Sequence, residues 1–449
     1  MSHGCDDFTR SQLLRAAAAE AGRGLPAIEP GMPEPAGTGL TRRRMLSRSA
    51  GLALAVYGAS KIPLAAFEPG IAEAAQTDKI LVSVYFEGGI DALSVLAPIG
   101  DPRYAKLRPH LRERPGAGPL FSEDHRLMWH PQAKPLATLH EEGKVTAFPA
   151  IGYEHPDESH FVSRHYYEIG QIDIHEKAGW LGRYIDVAGN DENPLQGLSM
   201  DGILSPTIAT ARKPVAAISS VDSFEMESRA GAPFEAELHE SFARFGALPS
   251  DSSALLQVRQ AAAETERVRA ELGAPAPFTS PVPYPTTEFA HKLAGLADYI
   301  ERGLPIRVAT IRAAGHYDTH ASQAPELAGG LGETCAGILA FQRDLEARGL
   351  DDRVMIQIWS EFGRRPEENG SAGTDHGAAG CAFVIGSRSQ GKMVGEFPGL
   401  KKLDRNENLR ATSDFRGMYC SLLEQWLGFD AAHVIPHAGR FARPRLVRA

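Results

Sequence analysis

The sequence is poor in cysteine and lacks long runs of one character. Only 4 Cys occur among 449 residues, and Cys335, Cys381 and Cys420 stand far apart with no C-x-x-C pair. With Cys5 in a leader, that leaves an odd, scattered set, which excludes a disulfide framework and a zinc-finger pattern. No Lys/Arg tract exceeds three residues, and 47 basic against 56 acidic residues give a net charge of −9. Such a balance leaves no electrostatic footprint for nucleic acid. No G-x-G-x-x-G follows a strand and no haem motif occurs, so nothing supports a redox enzyme. At 43% apolar and 23% charged, the chain is too balanced for disorder or a fibre, and it is long enough to bury a core unaided.

What is present begins with a leader. Residues 41–47 read Thr-Arg-Arg-Arg-Met-Leu-Ser, followed by the weakly apolar stretch Ala50 to Ala66 and then Ala72-Glu73-Ala74. This resembles a twin-arginine export signal: Arg42-Arg43, a core softened by Gly and Ala, and a small-x-small cleavage site. An Arg-rich turn before an amphipathic helix is the competing reading, but the run has no charge until Lys61 and no polar face. At 17 residues it is also a poor membrane span. The expected organisation is a spacer over 1–40, the signal region over 41–75 and one α/β domain over 76–449. The twin-arginine translocase would then be a partner during export to the periplasm or beyond. Through Ala74 there are 8 basic and 7 acidic residues, so the mature chain is left at −10.

In the mature chain, Lys79 to Phe86 is a run of β-formers closed by Glu87-Gly88-Gly89, the signature of a buried parallel strand ending in a turn. Further strands are expected at Lys144 to Ile151, Ile306 to Ala313, Val354 to Ser360 and Cys381 to Gly386. Helices are expected at Ser159 to Gly170, Leu331 to Arg348 and Phe415 to Leu427. This alternation predicts a doubly wound, mostly parallel α/β sheet sandwiched by helices. Residues 222–302 break it with Ala/Glu/Arg-rich helical patterns and a Pro-spaced linker, a helical insertion that serves as a cap or as packing. Functional loops should lie at the carboxyl ends of the strands.

Acids, imidazoles and a hydroxyl gather at those ends. In order they are Phe86-Glu87-Gly88-Gly89-Ile90-Asp91, Ser159-His160-Phe161, Tyr317-Asp318-Thr319-His320, Ser360-Glu361-Phe362-Gly363-Arg364 and Gly373-Thr374-Asp375-His376-Gly377. This set, behind a twin-arginine leader, resembles the DUF1501 family over about Ile80 to Leu427. The resemblance implies an alkaline phosphatase-like fold, shared with sulfatases, and a site with one or two divalent ions.

Carried onto this sequence, the resemblance makes Asp91 the early acid and Ser159 the nucleophile. Ser159 also opens a helix, where N–H groups and the dipole stabilise an anion. An N-cap role for the same serine stays equally open. Asp318 and His320 at i, i+2 share one face of an extended segment and can grip one ion, with His376 closing its shell. Carboxylate plus imidazole suits zinc or manganese better than calcium. His160 and His316 are candidates for substrate or outer contacts, and Arg364 for holding charged ester oxygens. Glu361 stands where relatives have Asp followed by His. Phe362 fills the second place, which removes one expected ligand.

The first functional expectation is an exported metal-dependent hydrolase of phosphate or sulfate esters, small-molecule or glycan, with Ser159 as nucleophile. A non-catalytic exported binding or assembly protein on the same fold is the alternative.

Overall fold

The computed structural model describes residues 54–57, 79–191, 193–222, 235–249 and 278–448, with scattered positions between 259 and 269. The spacer over 1–40, Arg42-Arg43 and Ala72-Glu73-Ala74 lie outside the described residues, as does most of Asp251 to Gly273.

Apart from a short pair at Leu96–Ala97 and Met128–Trp129, the strands are β1 (Leu54–Tyr57), β2 (Ile80–Tyr85), β3 (Val145–Gly152), β4 (Gly197–Ser199), β5 (Val215–Ile218), β6 (Val308–Arg312), β7 (Val354–Trp359), β8 (Gly363–Glu368), β9 (Thr374–Gly377), β10 (Gly380–Ile385) and β11 (Ser413–Asp414). The main helices are α1 (Ala92–Val95), α2 (His160–Ile169), α3 (Trp180–Ala188), α4 (Glu235–Ala247), α5 (Glu288–Glu301), α6 (Gln323–Arg348) and α7 (Phe415–Ser421). Among the described residues no helix is long and apolar enough to cross a membrane.

The chain forms two compact units. One comprises residues 1–78, 173–279 and 298–311. In it, β4 runs parallel to both β5 and β6, and β1 adds to β5 as an antiparallel strand. Strand β1 falls within the stretch read as the apolar core of the export signal.

The other unit comprises residues 79–172, 280–297 and 312–449 and holds every candidate site residue. Its sheet runs β2-β7-β10-β3-β11. Strands β2 and β7 pair in parallel from Ile80 opposite Val354 to Tyr85 opposite Trp359. Both are buried on both faces, which is why Ile-Leu-Val-Ser-Val-Tyr and Val-Met-Ile-Gln-Ile-Trp read as continuous rather than alternating apolar runs. Between them, Trp359 Nε1 donates to Ser83 Oγ at 3.0 Å while its ring stacks on Tyr85 at 4.4 Å.

The α/β class and mostly parallel sheet are as expected from the sequence, with one reversal. Strand β10 is antiparallel to both β7 and β3. The cause is the hairpin of β8 and β9, which leaves the end of β7 and returns to the same rim. The next strand therefore has to start where its neighbours finish.

Helix α2 shows how the local sequence sets the boundaries. Ser159 caps its start by accepting from Phe161 N–H at 3.2 Å, and Gly170 ends it at φ 69°. Glycine meets that left-handed conformation at little cost.

On the same unit's surface, Arg343 and Lys144 clamp Glu142. The hydrogen bond from Arg343, chiefly, holds the Glu142 carboxyl down at about 2. A carboxyl lowered on folding stabilises the protein fully above its unfolded value and loses that contribution as pH falls toward the folded one. Glu142→Gln is therefore expected to destabilise at pH 7 and to make no difference near pH 2. With the side chain about a third exposed, solvent screening limits the change to less than about 1 kcal/mol. Urea melts across that pH range read it.

Candidate metal centre

The centre is built on Asp318, whose side chain is 3% exposed. It follows a turn in which Tyr317 N–H donates to Glu87 O at 2.9 Å. That turn lies directly on Gly88, where a Cβ would come within 2.4 Å of Asp318 N. Gly88 also has φ 113°, so the approach needs glycine twice over, for conformation and for space. Gly88→Ala is expected to cost several kcal/mol through strain and backbone displacement, read as a lowered denaturation midpoint.

Three imidazoles face Asp318, and two of them share a compact donor set with it. His160, the first residue of α2, places Nε2 at 3.4 Å from Asp318 Oδ1, and His376, on β9, places Nε2 at 3.3 Å from the same oxygen. One donor atom from each of the three lies within 4.8 Å of the others. Ligand bonds of about 2.0–2.1 Å set tetrahedral donors roughly 3.3 Å apart, so both contacts match the spacing of a shared ion.

The outer hydrogen bonds fix which ring nitrogen is free to ligate. His160 Nδ1 lies 2.9 Å from Glu361 Oε1, and His376 Nδ1 lies 2.7 Å from the Glu158 carbonyl. Both partners accept, so each Nδ1 is the donor in these bonds, and each Nε2 faces Asp318, where it donates to the carboxylate while protonated and can ligate an ion when neutral. The donor set therefore fits a divalent ion.

Electrostatics follow from the same geometry. Burial alone would raise the Asp318 carboxyl, but hydrogen bonds to His160, His320 and His376, with the Arg364 charge, hold it far below the usual carboxylate range. Burial lowers His376, and the neighbouring positive groups take it to about 4 despite Asp318. Burial would also lower His160, but its bonds to Asp318 and Glu361 raise it instead.

The remaining sequence candidates surround this triad in other roles. Glu361 is fully buried and takes Gly88 N–H at 3.0 Å, Gly89 N–H at 3.0 Å, Ser360 Oγ at 2.9 Å and His160. Burial would raise its carboxyl, yet these bonds, His160 first, bring it to about 2. Both oxygens are thus committed to orienting His160 and the glycine turn. Glu361→Gln is expected to weaken metal affinity about 10–100-fold, the usual loss for an outer partner of a ligating histidine. Metal-competition titration measures it.

His320 contacts Asp318 Oδ1 at 3.1 Å through Nε2 and Asp375 Oδ1 at 3.1 Å through Nδ1. It bridges two carboxylates at the edge of the triad. The expected pairing of Asp318 with His320 on one face is present, and His320 Nε2 is nearer Asp318 than His160 or His376; the donors within 4.8 Å of one another are those of His160, Asp318 and His376.

Arg364 lies under the centre at 1% exposure. Its N–H groups go to the carbonyls of Gly88, Gly89, Tyr317 and Thr374 and, at 2.6 Å, to Asp318 Oδ1. With its donors spent on protein oxygens it ties three loops together, an arrangement that leaves none to hold an ester.

Asp91 stands apart from the triad. It caps α1 through Leu93 N–H, accepts from Ser94 Oγ at 2.6 Å and Gln323 Nε2 at 2.6 Å, and forms a bidentate pair with Arg108. Asp91 and Arg108 are both fully buried. Every oxygen lone pair is occupied by a protein donor.

Phe362 packs its ring 4.7 Å from those of both His160 and His376. An apolar wall therefore stands beside the two imidazoles. Ser159 sits between Glu158 and His160, both of which touch the centre, and its hydroxyl caps α2.

Arg108, Gln323 and the Glu158 carbonyl have no signature in the sequence. None carries a motif, and their partners lie hundreds of residues or a loop away. His160 was visible in Ser-His-Phe but ranked below His320 because spacing within an extended segment says nothing of contacts across loops.

The model for the family of proteins of unknown function DUF1501 matches residues 150–423, more than half of the chain. No curated protein matches the sequence. Among solved structures, similarity extends to the lipoteichoic acid synthase LtaP from Listeria monocytogenes, at 7% identity over 81% of this chain and 75% of that one, with a TM-score of 0.36. It extends also to the C-terminal periplasmic domain of EcEptC from Escherichia coli in complex with Zn, at 8% identity over 80% and 87%, TM-score 0.35. A PsFucS1 sulfatase from Pseudoalteromonas sp. matches at 10% identity over 86% and 76%, TM-score 0.33. Scores of this size carry no argument about the chemistry.

Proposed function

This chain belongs to the DUF1501 family, and from that premise we propose that it is an exported metal-dependent hydrolase of phosphate or sulfate esters. The observation that carries the reading is the convergence of His160, Asp318 and His376 within 4.8 Å. Zinc or manganese suits the donors. A divalent ion held by these residues supplies a Lewis acid for the ester oxygens.

The protein's own part is positional. Glu361 and the Glu158 carbonyl hold the two imidazoles in one tautomer. Arg364 keeps the Gly88 and Asp318 loops in register. Ser159 Oγ, at the start of α2, is the nucleophile: it bonds to phosphorus or sulfur while the bond to the alcohol oxygen breaks. The alcohol leaves with the serine proton, and water then cleaves the seryl ester to free phosphate or sulfate.

The test is a screen of aryl phosphates and sulfates with the metal-analysed protein. Turnover is expected to follow metal content. Ser159→Ala should lower it about a hundredfold without changing that content. Unchanged turnover in Ser159→Ala contradicts the nucleophile.

A non-catalytic binding role is the second reading. It is favoured by Phe362 in the ligand position and by the capping bond of Ser159. It predicts a bound ion with no turnover of any ester.

A further inference from the structure

A cavity of about 660 Å³ opens beside the centre, lined in part by Asp157, Glu158, Arg365, Arg405, Asn406 and Glu407. It shares a wall with the triad, since Glu158 presents its side chain to the cavity and its carbonyl to His376.

Its two arginines differ from Arg364. Along β8, successive side chains point to opposite faces, so Arg364 goes down beneath Asp318 and Arg365 goes up to the cavity. The Arg365 backbone is fixed from below, where Arg108 donates to the Arg365 and Pro366 carbonyls at 2.9 Å each. Arg405 stands on a loop that Asp404 closes by accepting from Asn406 N–H and Asn408 N–H at 2.8 Å each. Asn408 Nδ2 then ties that loop to Glu158 Oε1 at 2.6 Å. Both guanidinium groups are thus carried on anchored backbone, and neither forms a hydrogen bond or ion pair among the described residues.

Three acids line the cavity with them, Asp157, Glu158 and Glu407, and the Arg365 charge also reaches Asp375. Asp157 accepts from Ser159 N–H at 2.8 Å, and Glu158 takes Asn408. Some surface arginines of this unit are paired, as at Arg126 with Asp124 and Arg388 with Asp352; what distinguishes Arg365 and Arg405 is that both line one cavity. Two unpaired guanidinium groups directed at one cavity are a recognition site for an anion. The carboxylates and Asn406 beside them accept from hydroxyl groups. Pro156 is the one apolar residue of the lining and no aromatic side chain joins it, which disfavours a flat hydrophobic ligand.

We propose that Arg365 and Arg405 form a subsite for a second anionic group on a polyhydroxylated substrate, a saccharide carrying more than one sulfate or phosphate. The proposal rests on the ester-hydrolase reading for why such a substrate is brought here, but its binding step does not require turnover.

The test is calorimetric titration of the intact protein with a dextran sulfate oligosaccharide and with unsulfated dextran of the same length. The sulfated probe is expected to bind and the neutral one not to. Arg365→Gln and Arg405→Gln should each weaken binding about tenfold, and the double variant should lose most of the salt dependence. Thermal melting confirms that each variant is folded. Arg388→Gln controls for loss of surface charge and should bind as the parent does. Asp318→Asn should retain binding even where it loses metal and turnover, which separates failure of the subsite from failure of the hydrolase reading. Parent-like affinity in the double variant overturns the subsite, as does no binding by the parent. Loss of binding in Asp318→Asn assigns the anion to the metal centre and overturns it too.

Discussion

Asp318→Asn strips the divalent ion, with affinity falling more than about a hundredfold and turnover dropping to background. The size follows from comparison. Removing a partner that merely orients a ligating histidine costs about 10–100-fold, and Asp318 is the one anionic donor of the triad and touches both ligating imidazoles. The asparagine keeps the shape but offers no charge. Folding should survive, because Arg364 retains the carbonyls of Gly88, Gly89, Tyr317 and Thr374 and stays hydrogen-bonded though buried. Chelator competition on parent and variant, with denaturation midpoints alongside, checks both halves.

Asp91→Ala destabilises the protein by about 3–5 kcal/mol, the cost of leaving one member of a buried ion pair without its counter-charge. Arg108 is fully buried, and its remaining contacts are Ser94 Oγ and the carbonyls that hold β8. The damage should therefore reach the hairpin that carries Arg364 and His376. The folded fraction should nevertheless contain as much metal as the parent, because Asp91 supports the centre through Arg108 and not as a ligand. Urea denaturation together with metal content per folded molecule separates the roles. A variant as stable as the parent but without metal would make Asp91 a ligand after all.

Strand composition was the most legible layer. Ile80–Tyr85 and Val354–Trp359 are apolar on both faces, and a strand buried on both faces must be so. The motif residues were legible as a set because strand ends deliver them to one rim. Their division of labour was not. Asp318 and Asp91 are both aspartates after a strand and a turn, and only the three-dimensional course of the chain gives Asp91 an arginine and Asp318 three histidines. Spacing favoured His320, two residues from Asp318, over His160, which reaches Asp318 from a different loop. The reversal of β10 was hidden for a related reason: Gly-Arg-Arg-Pro-Glu-Glu and Thr-Asp-His-Gly are polar, partly exposed strands that carry no buried-strand signal, so the hairpin that turns the chain was read as loop.

The most direct test is metal analysis of the purified protein and of the His160→Ala, His376→Ala and Asp318→Asn variants after extensive dialysis. The triad predicts about one divalent ion per chain in the parent and a small residue of it in each variant. A parent without a stoichiometric ion, or variants that keep theirs, would contradict the metal centre and with it the hydrolase reading.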